Sequence, residues 1–179
     1  MRIVILGAGQ VGGNLAHNLA REDNDVTLID MDEERLSYLQ HRLDIKTVYG
    51  NASHPHVLIE AGIQQADMLI AVTSSDEVNM IGCQIAHSLF HTPNKIARIR
   101  SGYYYQYPEL FHPQHIPIDV CISPEKLVTD HIVNLIDYPG TSQVLDFCNG
   151  QVLLITIKPQ ETGVMVGKTL KDRKSTRLN

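Results

Sequence analysis

Short apolar runs alternate with amphipathic segments along roughly the first 140 residues of this chain, which is 179 residues long. The apolar runs have the length of buried strands, and between them apolar residues recur at helical spacing, most clearly from Val78 to Leu89. The helix that contains Val78 begins with the capping-box pattern Ser74-x-x-Glu77, which predicts Ser74 as its N-cap. This alternation predicts an α/β fold with a doubly wound, mostly parallel sheet and helices on both faces. The predicted strands are 2–6, 26–30, 46–49, 67–72, 96–100 and 118–122, and the predicted helices lie near 10–21, 32–43, 54–61, 76–91, 104–111 and 124–137.

The pattern changes after the last of these helices, at Pro139-Gly140. Residues 143–148 and 151–157 are strand-like and flank Asn149-Gly150, a pair typical of tight hairpin turns. One hairpin and the short segment 163–170 bury too little apolar surface for a stable domain. The sequence therefore predicts the beginning of a second, smaller unit that the chain does not complete.

Three glycines at the spacing G-x-G-x-x-G lie between the first strand and the first helix. Gly7 permits a tight turn, Gly9 leaves room for a pyrophosphate to approach the backbone, and Gly12 allows the helix to pack closely on the sheet. The helix that follows directs unpaired N–H groups at the phosphates. We therefore predict a nucleotide-binding loop made of Gly7, Ala8, Gly9, Gln10, Val11 and Gly12.

An acidic residue, Asp30, ends the second predicted strand 18 residues after Gly12. A carboxylate at this place can accept hydrogen bonds from both hydroxyls of an adenosine ribose. It would repel the 2′-phosphate of NADP, but it does not distinguish NAD from ATP or ADP. The sequence leaves these three nucleotides open.

The ends of the next strands carry small or polar residues. Gly50-Asn51-Ala52 would let an adenine lie against the backbone, and the hydroxyls of Thr73 and Ser74 can reach phosphate or ribose. Arg98 and Arg100 follow on the fifth strand, two residues apart and hence on one side of it. Because ligands of open α/β sheets bind at the carboxyl ends of the strands, we expect these residues in one crevice.

Composition narrows the classes of partner and the compartment. The net charge is −5, and it is −8 without the last nine residues, which carry four of the basic residues; an acidic body argues against nucleic acid as a partner. No apolar run approaches the ~18 residues that span a bilayer, and the N-terminus enters a core strand directly, without a secretory signal. The three cysteines are widely spaced, as expected of reduced thiols in the cytoplasm.

Metal and catalytic motifs are missing from the sequence. The histidine pairs His54-x-His56, His87-x-x-x-His91 and His112-x-x-His115 have no matched cysteine or carboxylate set, so we predict no metal site. No Tyr-x-x-x-Lys, no G-x-S-x-G and no P-loop lysine motif occurs. The sequence therefore predicts no catalytic residues.

Motifs distributed over residues 1–170 are together more specific than the glycine loop. They are Gly7-Ala-Gly-Gln-Val-Gly-Gly13, Asp30, Ser53-His54-Pro55, Ala71-Val-Thr-Ser-Ser-Asp-Glu-Val-Asn79, Ile96-Ala-Arg-Ile-Arg100 and Ile122-Ser-Pro-Glu125. They resemble the N-terminal part of the RCK (KTN) proteins, the cytosolic regulatory subunits of bacterial Trk potassium uptake. The resemblance implies a Rossmann-type doubly wound sheet over 1–122, a crossover helix and linker over 123–140, the truncated start of a smaller α+β RCK C-terminal subdomain over 141–170, and a tail over 171–179.

The resemblance also implies a regulator and not an enzyme. The chain would bind NAD(H), or alternatively ATP or ADP, through Gly7 to Val11, Asp30, Thr73, Ser74 and Arg98. It would form a homo-oligomer, a dimer or tetramer, with the apolar face of helix 124–137 against a partner protomer. It would act on the cytoplasmic face of the inner membrane, on a Trk-type potassium-transporting subunit. Arg98 is our hypothesis for the residue that senses the number and placement of the phosphates.

A competing hypothesis remains open. The chain could instead be the nucleotide-binding fragment of an NAD-dependent oxidoreductase whose catalytic domain lies outside it. That hypothesis predicts hydride transfer by the full-length protein, with a catalytic acid or base beyond residue 140. The regulator hypothesis predicts nucleotide binding without turnover.

Overall fold

The fold is taken from a computed structural model that describes residues 1–147 and 151–157, without the side chains of 146 and 147. Met1–Pro124 forms one compact unit, and a second unit begins at Glu125. The predicted bounds 1–122, 123–140, 141–170 and 171–179 stay predictions, and residues 158–179 lie outside the described part.

A six-stranded parallel sheet forms the centre of the first unit, in the order β3-β2-β1-β4-β5-β6. This is the strand order of a doubly wound nucleotide-binding fold, and the predicted fold class is confirmed. The order reverses between β1 and β4, so a crevice is expected where these two strands end. The strands are β1 (Arg2–Leu6), β2 (Asp25–Asp30), β3 (Lys46–Tyr49), β4 (Met68–Ala71), β5 (Asn94–Arg98) and β6 (Val120–Ile122).

Helices cover both faces of this sheet and bury two apolar clusters. Along β1, Ile3 and Ile5 point into one cluster and Val4 and Leu6 into the other, as the alternation of side chains along a strand requires. A central parallel strand buried on both faces is therefore continuously apolar. The helices of this unit are α1 (Gln10–Ala20), α2 (Glu33–Gln40), α3 (Pro55–Glu60) and α4 (Asp76–Phe90).

The predicted helix 104–111 is wrong. The chain forms two short 3₁₀ segments there, Tyr104–Gln106 and Pro108–Phe111. Pro108 has no backbone N–H and disfavours helical geometry at the residue before it, and Tyr107 accordingly has a ψ of 67°. Proline thus divides what the apolar pattern presents as one helix.

The described part of the second unit contains a helix and a pair of antiparallel strands. Helix α5 (Pro124–Asp137) presents exposed apolar side chains, among them Leu127, Val128 and Ile132. Strands β7 (Thr141–Phe147) and β8 (Val152–Ile157) pair antiparallel, while the predicted Asn149-Gly150 turn lies outside the described residues. None of the helices in the described part is both long and apolar enough to cross a membrane.

Candidate functional site

A cavity of about 460 Å³ opens where β1, β2, β4 and β5 end. Its volume lies within the ~300–1,000 Å³ typical of small-molecule sites. It occupies the point where the strand order reverses, as expected from the topology. The lining residues are Gly7, Gly9, Gln10, Val11, Ile29, Asp30, Met31, Asp32, Arg35, Gly50, Asn51, Ala52, Val72, Thr73, Ser74, Ser75, Val78 and Arg98.

The three glycines of the loop serve different purposes. Gly7 has a φ of +101°, and a Cβ there would lie 2.9 Å from the backbone N and Cα of Thr73. A Cβ at Gly12 would lie 1.8 Å from the carbonyl oxygen of Gly7, so only glycine lets α1 approach the turn. A Cβ at Gly9 would meet no protein atom within 4 Å. The absence of a side chain at Gly9 therefore leaves open space beside the loop, which a ligand can fill.

The N-terminus of α1 directs unpaired donors into this space. The first intrahelical bond runs from Gly13 N to Gly9 O at 2.8 Å, which leaves the N–H groups of Gln10, Val11 and Gly12 without an intrahelical acceptor. The N-cap Gly9 has no capping side chain, and the first turn holds no acidic residue. An anion at this end of the helix would be stabilised by the N–H groups and the helix dipole.

Asp30 connects the loop to the beginning of α2. Its Oδ2 accepts a hydrogen bond from Ala8 N at 2.5 Å, and its Oδ1 accepts one from Asp32 N at 2.9 Å. Each carboxylate oxygen can accept a further hydrogen bond, so a ribose can still be bound. Ala8 itself is buried and does not line the cavity, because its N–H is directed at Asp30.

The end of β3 forms the wall next to Asp30. Gly50 has a φ of +153°, and its N–H donates to the carbonyl oxygen of Asp30 at 2.9 Å. A Cβ at Gly50 would lie 2.7 Å from Val57, so a side chain does not fit there. The Asn51 side-chain oxygen accepts from Ser53 N at 2.9 Å and from Ser53 Oγ at 2.8 Å. Gly50 therefore presents only backbone to this side of the cavity.

The opposite wall is held by a fully buried amide, Asn79. Its Oδ1 accepts from Thr73 N at 2.9 Å and from Thr73 Oγ1 at 2.7 Å. Its Nδ2 donates to Arg98 O at 2.8 Å. One side chain thus joins the end of β4 to the end of β5.

Two arginines reach the same segment from β5. Arg98 is half-buried and lines the cavity; one terminal nitrogen donates to Thr73 O at 2.8 Å, and its buried Nε has no hydrogen-bond partner among the described residues. Arg100 lies beyond the strand and does not line the cavity. Its guanidinium donates to Ser74 O and lies 3.9 Å, through Nε, from the buried Asp76 carboxylate. The two arginines thus have different surroundings, although they are two residues apart.

The cap of α4 differs from the one the sequence suggests. The pattern Ser74-x-x-Glu77 predicts Ser74 as the N-cap, but Ser75 is the cap, and its Oγ accepts from Val78 N at 3.2 Å. Ser75 also donates to Glu77 at 2.7 Å, and this bond, with the backbone N–H of Glu77 and the hydroxyl of Tyr104, lowers the pKa of the exposed Glu77 carboxyl. Ser74 is exposed as a result and faces the cavity.

Eleven of the thirteen predicted contact residues line this one cavity, and the other two, Ala8 and Gly12, are buried and do not line it. Ligand contact by these residues stays a prediction. Sequence reasoning missed Asp32 and Arg35, although the side chain of Asp32 caps α2 by accepting from Arg35 N at 3.0 Å, a recognisable pattern. It also missed the apolar walls formed by Ile29, Met31, Val72 and Val78, together with Ser75.

Neither a metal centre nor a reactive thiol is found in the described part of the chain. No group of three or more His, Cys, Asp or Glu residues there could hold a metal ion. Burial raises the pKa of the Cys83 thiol to about 12 and that of Cys121 to about 11. Both thiols are therefore protonated at neutral pH and poor nucleophiles.

A comparison with models of known protein families assigns this part of the chain to a family. Residues 3–124 match the sequence model of the TrkA-N domain. The chain belongs to the TrkA-N domain family. The match spans the parallel sheet and every residue of the cavity.

Curated relatives of the chain are proteins of Trk potassium uptake systems. The chain is 57% identical over 170 residues to the Trk system potassium uptake protein TrkA of Halomonas elongata, and this match covers 95% of the chain and 37% of the relative. The predicted resemblance to proteins of bacterial Trk potassium uptake is confirmed. The chain spans about 37% of the length of this relative.

Solved structures share the fold at low sequence identity. The TrkA-N domain of the inner membrane protein ybaL from Escherichia coli superposes with a TM-score of 0.65 at 19% identity, covering 75% of this chain and 96% of that domain. The GsuK channel bound to NAD gives a TM-score of 0.57 at 21% identity, covering 69% of this chain and 21% of the channel. At these identities the likeness establishes the fold alone.

Proposed function

We infer that this chain is the nucleotide-sensing part of a regulatory subunit for a membrane potassium transporter. The observation that carries the inference is the cavity, in which the N–H groups of α1, the Asp30 carboxylate and Arg98 surround one space. Anion donors flanked by an acid at the end of β2 match the phosphates and the ribose of an adenine nucleotide. The site binds its ligand without reacting with it.

The proposed ligand is NAD(H), with ATP or ADP as the alternative. Asp30 disfavours NADP because a 2′-phosphate would approach a carboxylate that already lies at the ribose position. Nucleotide binding by a related fold supports both the proposed ligand and its alternative, since the GsuK channel is known with NAD bound and with ADP bound.

The proposed partner is the membrane potassium-transporting subunit of a Trk system. The name of the Halomonas relative supports this partner, because that protein is a potassium uptake protein. A regulatory ligand must bind two conformations with different affinity, since equal binding shifts no equilibrium. In the proposal the protein works at the cytoplasmic face of the inner membrane, as a peripheral subunit.

The proposed assembly is a homo-oligomer, a dimer or tetramer, formed through α5. Five apolar residues of this helix are exposed by about half of their surface or more: Leu127, Val128, Ile132, Val133 and Ile136. An apolar stripe of this width on a helix favours burial against another surface.

Calorimetric titration of the purified chain with NAD, NADH, ADP and ATP tests the proposal. We expect at least one of the four to bind, and Gly7, Asp30 and Arg98 to be required for the affinity. Absence of binding by all four would overturn the function. Oxidation of NADH by the full-length protein would support the oxidoreductase hypothesis instead.

A further inference from the structure

The orientation of the buried Asn79 amide is fixed by two backbone groups. Thr73 N is a donor only, so the atom 2.9 Å from it must be the amide oxygen. Arg98 O is an acceptor only, so the atom 2.8 Å from it must be the amide nitrogen. Exchanging the amide oxygen and nitrogen would place a donor against the donor Thr73 N and an acceptor against the acceptor Arg98 O.

This orientation determines where the hydroxyl proton of Thr73 goes. Thr73 Oγ1 lies 2.7 Å from the amide oxygen of Asn79 and 3.1 Å from the carbonyl oxygen of Ser75. Both atoms are acceptors, so the proton of Thr73 is donated to the protein in either case. If the proton turned to a ligand, two acceptor oxygens would face each other at 2.7 Å.

Thr73 therefore has only an acceptor left for a ligand. A hydroxyl oxygen carries two lone pairs, and one of them accepts the N–H of Ser75 at 3.3 Å. The other lone pair can bind a group that donates a hydrogen, such as a ribose hydroxyl. An ionised phosphate has no hydrogen to donate, so it gains nothing at Thr73.

The place of Thr73 in the sheet tells which part of a nucleotide it meets. Strand β1 lies between β2 and β4, so Asp30 and Thr73 are on opposite sides of the glycine loop. A nucleotide with its adenosine ribose at Asp30 and its phosphates at the loop brings to Thr73 whatever follows the phosphates. In ADP nothing that donates a hydrogen follows them, whereas in NAD and in ADP-ribose a second ribose does.

We propose that Thr73 accepts a hydrogen bond from a hydroxyl of this second ribose, and that Asn79 is the positioning residue that makes Thr73 an acceptor. The cavity would thereby distinguish dinucleotides from mononucleotides. The inference rests on the proposed nucleotide function. It assigns to Thr73 the ribose and not the phosphate, two ligands that the sequence alone leaves open.

The test compares two ligands by calorimetry on the purified chain: ADP-ribose, whose second phosphate carries a ribose, and ADP, whose second phosphate is free and carries one more ionisable oxygen. We expect Thr73→Val to weaken ADP-ribose about three- to tenfold, the range of one neutral hydrogen bond, and ADP by less than about twofold. The control Thr73→Ser keeps the hydroxyl and should retain the preference of the wild type for ADP-ribose. Equal losses for both ligands, or no loss for ADP-ribose, would overturn the proposal.

A second measurement needs no substitution and serves if the valine variant does not fold. The wild-type chain is titrated with NAD and with an NAD analogue that lacks the hydroxyls of the nicotinamide ribose. Weaker binding of the analogue by a similar factor is expected, and equal binding would contradict the proposal. If neither NAD, ADP nor ADP-ribose binds the wild-type chain, the proposed function itself fails.

Discussion

The two walls of the cavity are built by different means. The side of β1 and β2, which we call the backbone half, is formed mainly by main-chain atoms: glycines shape the loop, and the N–H groups of α1 face the space. The side of β4 and β5, which we call the side-chain half, depends on buried side chains: Asn79 and Asp76 hold the ends of both strands through hydrogen bonds. In such a site the backbone half can bind the phosphates that all nucleotides share, and the side-chain half can select among nucleotides.

The backbone half should be the most sensitive to a single methyl group. We expect Gly12→Ala to destabilise the fold by about 3 kcal/mol or more, because its Cβ would lie 1.8 Å from the Gly7 carbonyl oxygen and both are backbone-fixed. Urea unfolding followed by circular dichroism measures the change.

Gly13→Ala is the matched control for this prediction. The Cβ at Gly13 would make only ordinary contacts, at 3.5 Å to Leu39, and alanine is favoured over glycine within a helix by up to about 1 kcal/mol. A Gly12→Ala variant as stable as the Gly13→Ala variant would show that α1 is free to withdraw from the turn.

The side-chain half should respond next most strongly, to Asn79→Ala. The substitution leaves the N–H of Thr73 and the carbonyl of Arg98 without their partner in the interior and leaves the Thr73 hydroxyl with the carbonyl oxygen of Ser75 as its acceptor, which together cost about 2–3 kcal/mol. It also removes the closer of the two acceptors of the Thr73 proton, so the proton can turn to a ligand more readily and the preference for ADP-ribose over ADP should fall. Thermal unfolding and calorimetry give the two quantities.

Gln84→Ala on the same helix is the control for Asn79. Its amide donates to Ser88 on the surface, so a change within about 0.5 kcal/mol is expected. If Asn79→Ala lowers stability but leaves the ratio of the two affinities unchanged, Asn79 supports the fold and does not tune the ligand.

The two walls also differ in how far the sequence could predict them. The glycine loop and Asp30 follow from spacing because Gly7 and Gly12 each meet a local backbone demand, and the apolar runs predict the sheet because β1 is buried on both faces. The hydrogen bonds among Thr73, Asn79 and Arg98 join residues up to 25 positions apart in the sequence. They depend on side-chain geometry, which no periodicity of the sequence encodes. The cap at Ser75 was missed for a similar reason, since adjacent serines offer the same chemistry.

The smallest of the expected effects concerns Arg98, which the sequence hypothesis makes the sensor of phosphates. Arg98 lines the cavity, and its hydrogen bond to Thr73 O leaves other donors of the guanidinium for a ligand. We expect Arg98→Ala to weaken ATP about tenfold, the scale of one hydrogen bond to a charged group, and NADH by less, because ATP brings more phosphate charge past the loop. Arg100→Ala, outside the cavity, should change either affinity by less than about twofold, the scale of a surface substitution. If Arg98→Ala lowered the affinities for ATP and NADH by the same factor, Arg98 would not discriminate between them. Nucleotide selection would then rest on Thr73 alone.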